Sequence, residues 1–305
     1  KQVFLNLNYF FLIIDASDKK NHLKNLKILK KYKNIKIFRQ KSKGIQRGCI
    51  EGINHIKTRY ASFLYDDDVM GDHITKIYMN NISKDKVFSF GYGIVKDIKE
   101  TVKFKNLSSI QISKEDMISY YYGGNLQEEF KKENLNMQVS LPVSPICTSF
   151  KTSFLYEWKK ALNSFVKKNY FRNYFFFEKE VGPDLLTFLM SIGNSKNYVN
   201  FFYPFAVKFS SHPNSISIIY GNSFLRIGYW LARICYFELN APKDQKKRNY
   251  AYTYLISIGI FILITNLFNR FYFRNTLIEI YGLMKNKKNN FSFNYFLKII
   301  LRKFF

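Results

Sequence analysis

One stretch, Tyr60–Gly71 (YASFLYDDDVMG), constrains this chain more than any other. Its apolar run Ala61-Ser62-Phe63-Leu64-Tyr65 has the length and composition of a buried strand. The run then stops abruptly in Asp66-Asp67-Asp68. Three successive carboxylates repel one another unless a cation or a cationic ligand sits among them. Hard oxygen donors suit Mg²⁺ or Mn²⁺, ions that keep some waters and share substrate phosphates. In open α/β sheets, ligands bind just beyond the carboxyl ends of the strands. A metal-assisted site for a nucleoside diphosphate fits this pattern, and a solvated acidic turn is the plain alternative.

The flanking sequence supplies the rest of such a sheet. Tyr9–Ile14 (YFFLII) reads as a buried strand that delivers Asp15 to its tip. His22–Tyr32 sets Leu23, Leu26, Ile28 and Leu29 among lysines, as a surface helix does. Ile35–Phe38 is a second short strand, and Gly44–Lys57 carries apolar residues at helical intervals. Alternating strands and helices predict a layered α/β sheet. Further along, the spacing predicts a helix over Asp72–Ile82 and a strand over Val87–Val95, with Gly91 and Gly93 allowing close approach. Lys96–Gln138 reads as loops and edge elements, and the two prolines of Leu141–Pro145 exclude a helix interior there. Phe150–Phe165 is predicted helical. Gly182-Pro183 opens another helix, which places Asp184 in its first turn at the positive end of the dipole. Tyr198–Phe209 is strand-like and leads into SSHPNSIS.

Lys+Arg 48 against Asp+Glu 22 gives a net charge of +26, which implies an anionic partner: nucleic acid, an acidic membrane or phosphorylated substrates. The joint abundance of Lys, Asn, Ile, Phe and Tyr is what a very AT-rich genome encodes, which weakens that inference. Zinc-finger spacing, an RNP-like run and a Gly/Arg-rich tail are all missing, which argues against nucleic acid. Cys49, Cys147 and Cys235 are odd in number and far apart, so they form no disulfide framework or CxxC knuckle and read as ordinary buried thiols of a reducing compartment. His22, His55 and His73 have no companion ligands and read as surface residues.

Past Tyr220 the character changes to fourteen Lys/Arg against three Asp/Glu, with aromatics interleaved. Asn249–Asn269 carries no charge and includes LISIGIFILI. As a helix it is about 30 Å long, borderline for a membrane span. Basic residues flank both ends, so the positive-inside rule selects no orientation. A true span and a monotopic or core-packed helix both remain open, and either favours a membrane-facing extension.

DASD after a strand, KGIQRGCIEGI, FLYDDD, PVSP, GPDLLTFLM and FSSHPNSISI occur in one order. Together they resemble a family 2 glycosyltransferase of the bacterial type that builds lipopolysaccharide, capsule or other surface glycans. The likeness spans residues 1–220. It implies an α/β GT-A fold: a Rossmann-like mixed sheet flanked by helices, here followed at 221–305 by a mainly helical basic extension. It also implies a first strand and a Pro-Thr-x-Asn-Arg-like turn ahead of Lys1, so that this sequence begins past them.

The resemblance implies roles by position. Asp15 matches the acid that contacts the base or ribose, and Lys43 and Arg47 fall near the base and diphosphate. Asp66, Asp67 and Asp68 match the DxD-type motif, with Asp68 a direct ligand of Mn²⁺ or Mg²⁺. Asp184 matches the general base of inverting members, and Glu178 and Glu180 are close enough to compete for that role. His212 matches a histidine at the metal and diphosphate, with Ser215 and Ser217 beside it. The implied partners are a nucleotide-sugar donor, a glycan or lipid-linked acceptor and an anionic membrane surface on the cytoplasmic side. Rival classes are a non-catalytic basic membrane- or nucleic-acid-binding protein and a metal-dependent nucleotidyltransferase.

Overall fold

A computed structural model of the chain describes residues 10–71, 88–124, 144–167, 169–213, 216–285 and 289–304. The helix expected over Asp72–Ile82 lies outside the described residues, as do His73 and Ser215.

A βαβ unit comes first: β1 (Phe11–Asp15), α1 (Lys19–Leu29) and β2 (Ile35–Arg39). The two strands pair in parallel, from Phe11 opposite Ile35 to Asp15 opposite Arg39. Asp18 caps α1 by accepting from the Asn21 amide at 2.8 Å, and none of the helix's residues is buried, as its lysine-rich pattern predicts. α2 (Ile45–Ile53) buries Gln46, Gly48, Gly52 and Ile53.

The acidic stretch departs from expectation. Strand β3 covers only Tyr60–Ser62, because its antiparallel partner β7 (Ser149–Lys151) is itself only 3 residues long. Phe63–Asp68 therefore leaves the ladder as an extended turn with Leu64 exposed, and β4 (Val69–Met70) resumes pairing on a different strand.

The next elements are β5 (Phe88–Asp97), β6 (Ser108–Ser113), α3 (Lys114–Tyr121) and a 3₁₀ turn at Pro145–Cys147. After β7 come α4 (Thr152–Val166), α5 (Tyr170–Asn173) running into a π-helical turn (Tyr174–Glu178), α6 (Pro183–Asn194) and β8 (Tyr198–Ser211). β8 organises the sheet. It pairs in parallel with β5 on one side, and on the other it pairs antiparallel with β6 along its first half and with β4 near its end. Between Phe202 and Val207 the β5–β8 register shifts; Pro204, which has no amide hydrogen to donate, lies in that irregularity. Gly93 sits at the shift, where an added Cβ would collide with the Phe209 ring. The expected close approach is thus real at Gly93. An antiparallel bridge from Phe90 to Thr148 ties this sheet to the segment ahead of β7. The result is the mixed sheet flanked by helices that the resemblance implies.

Four helices follow: α7 (Ile216–Asn240), α8 (Gln245–Thr265), α9 (Arg270–Met284) and α10 (Phe293–Phe304). Residue 220 lies inside α7, and the hydrophobic core runs without interruption from Phe90, Phe188 and Phe201 to Trp230, Leu255 and Ile280. Trp230 has no exposed surface and donates its indole N–H to the Leu255 carbonyl at 2.8 Å, joining α7 to α8. The uncharged stretch falls in α8, whose residues 251–259 are all buried with α7, α9 and α10 packed around it. A helix that is apolar on every side is one with neighbours on every side. Among the described residues no helix is long and apolar enough to cross a membrane.

Candidate active site

The register of β4 against β8 sets the site. Pairing Val69 with Lys208 brings the acidic turn onto the carboxyl end of β8. There the Ser210 amide donates to Asp68 Oδ1 at 2.9 Å, and His212 Nε2 lies 3.2 Å from Asp67 Oδ2. Asp66 projects into solvent, while Asp67 and Asp68 are half-buried. The structure thus unites Asp67, Asp68 and His212 across more than 140 positions of sequence. Burial pushes the Asp68 carboxyl up to about 6; the charges of Asp67 and Asp66 add to this, and the Ser210 amide and Lys208 oppose it. Lys208 is itself buried and donates to the carbonyls of Ile98 and Glu100, at 3.1 and 2.7 Å.

The residue types gathered here are ones a divalent ion accepts as ligands. Asp67 Oδ2 and His212 Nε2 are hydrogen-bonded to each other at 3.2 Å, and carboxylate oxygens are the hard donors that Mg²⁺ and Mn²⁺ take. Among the described residues no three His, Cys, Asp or Glu converge closely enough to hold a metal by themselves. Such an ion would draw its remaining ligands from water and diphosphate oxygens, as Mg²⁺ does.

Asp184 lies in the first turn of α6, as its Gly-Pro context predicts. Burial raises its carboxyl to about 7, against the N–H groups of Leu185, Asp184 itself and Gly182 that favour the anion. It keeps a partly exposed edge. Among the tyrosines within its electrostatic reach are two to which the sequence pattern gives no role at the site. Tyr229 of α7 is pushed well above its ordinary value, by Asp184 first and burial second. Tyr65 is raised by burial and then by Cys49, Asp184 and Asp68, so this one phenol senses both carboxylates. α7 reaches Asp184 through a backbone-to-backbone crossing. Gly182, at a φ of 113°, leaves 2.6 Å between an imagined Cβ and the Gly228 carbonyl, and Tyr229 is the next residue.

The remaining expected positions stand elsewhere. Both oxygens of Asp15 are occupied: Oδ1 accepts from the Ser17 amide, and Oδ2 meets His22 Nδ1 and Asn25 Nδ2 at 3.0 and 3.1 Å. Burial opposes ionisation, but these hydrogen bonds win and hold the carboxyl well below the usual carboxylate range. His22 is therefore not the surface residue its lack of companion ligands suggested; its side chain is 14% exposed because it packs against this buried acid. His55 is exposed and stacks on Phe38 at 3.9 Å. Lys43 is exposed on the loop before α2, and Arg47 lies over the Phe177 ring at 5.6 Å.

Glu178 is exposed, whereas Glu180 has a definite task. Its Oε1 accepts from the Gln46 amide at 3.2 Å and caps α2 from 134 residues away. Burial raises its carboxyl, and the amides of Gln46 and Ile45 and the charge of Arg47 oppose that. Glu180 does this at a φ of 60°, a left-handed conformation costly for a residue with a Cβ. Glu180→Ala is expected to cost about 1 kcal/mol in urea unfolding, because the cap is lost and the strain kept. Glu180→Gly should cost less, because the strain goes too; equal losses would show that the backbone there is not strained.

No protein-family model and no curated protein sequence matches the chain. Among solved structures it is similar to S. aureus TarS, at 11% identity and a TM-score of 0.51 over 85% of this chain and 39% of that one. A second similarity, at 10% identity and a TM-score of 0.49, is to S. aureus TarS 1-349 in complex with UDP-GlcNAc, over 93% of this chain and 84% of that one. The chain spans well under half of the length of the first of these. The likeness to it is one of fold.

Proposed function

We propose that this chain is a metal-dependent, inverting glycosyltransferase that moves a sugar from a nucleotide-diphosphate donor to a glycan or lipid-linked acceptor in bacterial surface-polysaccharide synthesis. The observation that carries this reading is the meeting of Asp67, Asp68 and His212 at the carboxyl edge of the sheet, with Asp184 sharing Tyr65 as an electrostatic neighbour. The shared fold supports it. The second partner is an anionic membrane surface.

Each residue then has a task. Asp184, with a carboxyl near 7, is matched to taking the acceptor hydroxyl's proton at neutral pH. Tyr229 and Tyr65, held neutral, keep its surroundings polar without adding charge. Asp68 and His212, with Asp67 joined to His212 at 3.2 Å, would hold Mn²⁺ or Mg²⁺, which when bound would neutralise charge on the leaving diphosphate. The Ser210 amide fixes the Asp68 carboxylate in place, and Lys208 beneath it offsets part of the turn's negative charge. A base on one face of the sugar and the diphosphate on the other give direct displacement with inversion. In this reading Lys43 and Arg47 serve the donor's base and diphosphate, and Asp15, its oxygens already taken by Ser17, His22 and Asn25, orders the tip of β1 on the base side.

Calorimetry with UDP, GDP, dTDP and CDP, first with Mn²⁺ and then with EDTA, tests it. One nucleotide should bind only with the metal, and Asp68→Ala should weaken that binding at least tenfold. Binding that ignores EDTA, or survives in Asp68→Ala, would overturn the metal assignment.

A further inference from the structure

The outward face of α9 has no role in the site, yet its composition is selective. Arg274, Leu277, Ile278, Tyr281, Met284 and Lys285 recur at three- and four-residue steps and so share one side of the helix. The four apolar members of this stripe are each about half exposed or more, and Lys285 places its ammonium 5.0 Å from the Tyr281 ring centroid. Thr276, Glu279, Ile280 and Leu283 make the opposite, buried side. The end of α8 and the α8–α9 turn extend the exposed surface with Ile264, Leu267 and a fully exposed Phe268, and Arg270 opens α9 beside them. Glu279 is the one acidic residue between Ile264 and Phe305, and it faces inward onto Arg172. This exposed surface therefore combines apolar side chains with cations and carries no carboxylate. A convex helix face with a projecting Phe and flanking cations fits a soft planar acceptor of negative charge.

We propose that the α9 face and the α8–α9 turn seat the enzyme on an anionic lipid bilayer. The helix lies along the interface, its apolar stripe entering the headgroup–acyl boundary and Arg270, Arg274 and Lys285 meeting lipid phosphates. This rests on the reading that the membrane is the second partner, and it names the surface that does the docking.

Flotation of the full chain with vesicles tests the proposal without any nucleotide, so its outcome is independent of the transferase reading. Binding to phosphatidylglycerol/phosphatidylcholine vesicles should exceed binding to pure phosphatidylcholine by about tenfold or more, and it should weaken as salt rises. The double variant Phe268→Ser/Ile278→Ser should lose about tenfold or more in vesicle affinity while melting at the unchanged temperature. A charge-reversed control, Arg274→Glu/Lys285→Glu, should lose the preference for phosphatidylglycerol. Equal binding to both lipids, or full binding by the double variant, would overturn the proposal. So would sedimentation showing a wild-type dimer that the double variant dissociates, because the face would then join two copies of this chain.

Discussion

Asp184→Asn is expected to slow transfer by roughly two to four orders of magnitude and, at neutral pH, to stabilise the fold. The first effect follows from position. The carboxyl sits at the start of a buried helix, beside Tyr229 and within reach of Tyr65, with its value raised to about 7 by burial. A positioned base contributes on the order of 10²–10⁴ in rate, so kcat should fall by that factor while metal-dependent nucleotide binding is unchanged. In the unaltered chain kcat should rise with pH through about 7 as Asp184 ionises. The second effect follows from linkage. The carboxyl titrates at its ordinary 3.8 when the chain is unfolded and at about 7 in the fold, so the folded protein resists its ionisation. Its stabilising contribution is complete below 3.8, is lost as the pH climbs to 7, and stays lost above that. Asn never ionises. The variant should therefore be more stable than its parent at pH 8 by roughly 2 kcal/mol, a figure discounted for the group's partly exposed edge, and the advantage should vanish near pH 4. Paired urea titrations at the two pH values, beside turnover assays, check both halves. Near-normal turnover, or a stability gap that ignores pH, would remove Asp184 from the role.

What the sequence makes legible tracks how local each determinant is. The βαβ start, α2, α4 and the position of Asp184 follow from spacing and capping within single elements. The acidic stretch misleads because strand length depends on a partner: Phe63–Tyr65 has a strand's composition, but β7 offers three residues to pair with. The chemistry of Asp67, Asp68 and His212 is visible as residue types, whereas their meeting needs the β4–β8 register. Glu180 capping α2, Tyr229 beside Asp184 and Lys208 beneath Asp68 have no local signature, since each depends on packing between segments far apart in sequence. α8 shows the same limit. Its uncharged run states that it avoids water, and only its neighbours α7, α9 and α10 state how.

Arg172→Met is expected to cost about 3–5 kcal/mol, enough to leave a chain of ordinary stability marginal. Arg172 of α5 donates Nε and Nη2 to both oxygens of Glu279 on α9, at 2.9 and 2.7 Å. It donates Nη1 and Nη2 to both oxygens of Glu238 on α7, at 3.0 and 2.8 Å. Asn169 adds a bond to Glu279 at 2.6 Å, and the guanidinium lies 5.2 Å from the Phe165 ring centroid. The side chains of Arg172 and Glu279 are 11% and 4% exposed. Burial alone would favour loss of the guanidinium's proton, but the bonds to Glu279 and Glu238 hold it firmly cationic. Two bidentate pairs on one guanidinium use the planar fork of Arg, which Lys cannot reproduce. Removing Arg172 leaves Glu279 charged in a buried place, so the cost is mostly that stranded carboxylate rather than the worth of the pair. The double variant Arg172→Met/Glu279→Leu should therefore recover most of the loss, with Glu238 turning to solvent. Urea unfolding of the single and double variants separates the two terms. If the double variant is no more stable than Arg172→Met, the network clamps α5, α7 and α9 through its hydrogen-bond geometry; if it recovers, apolar packing suffices and the charges set register.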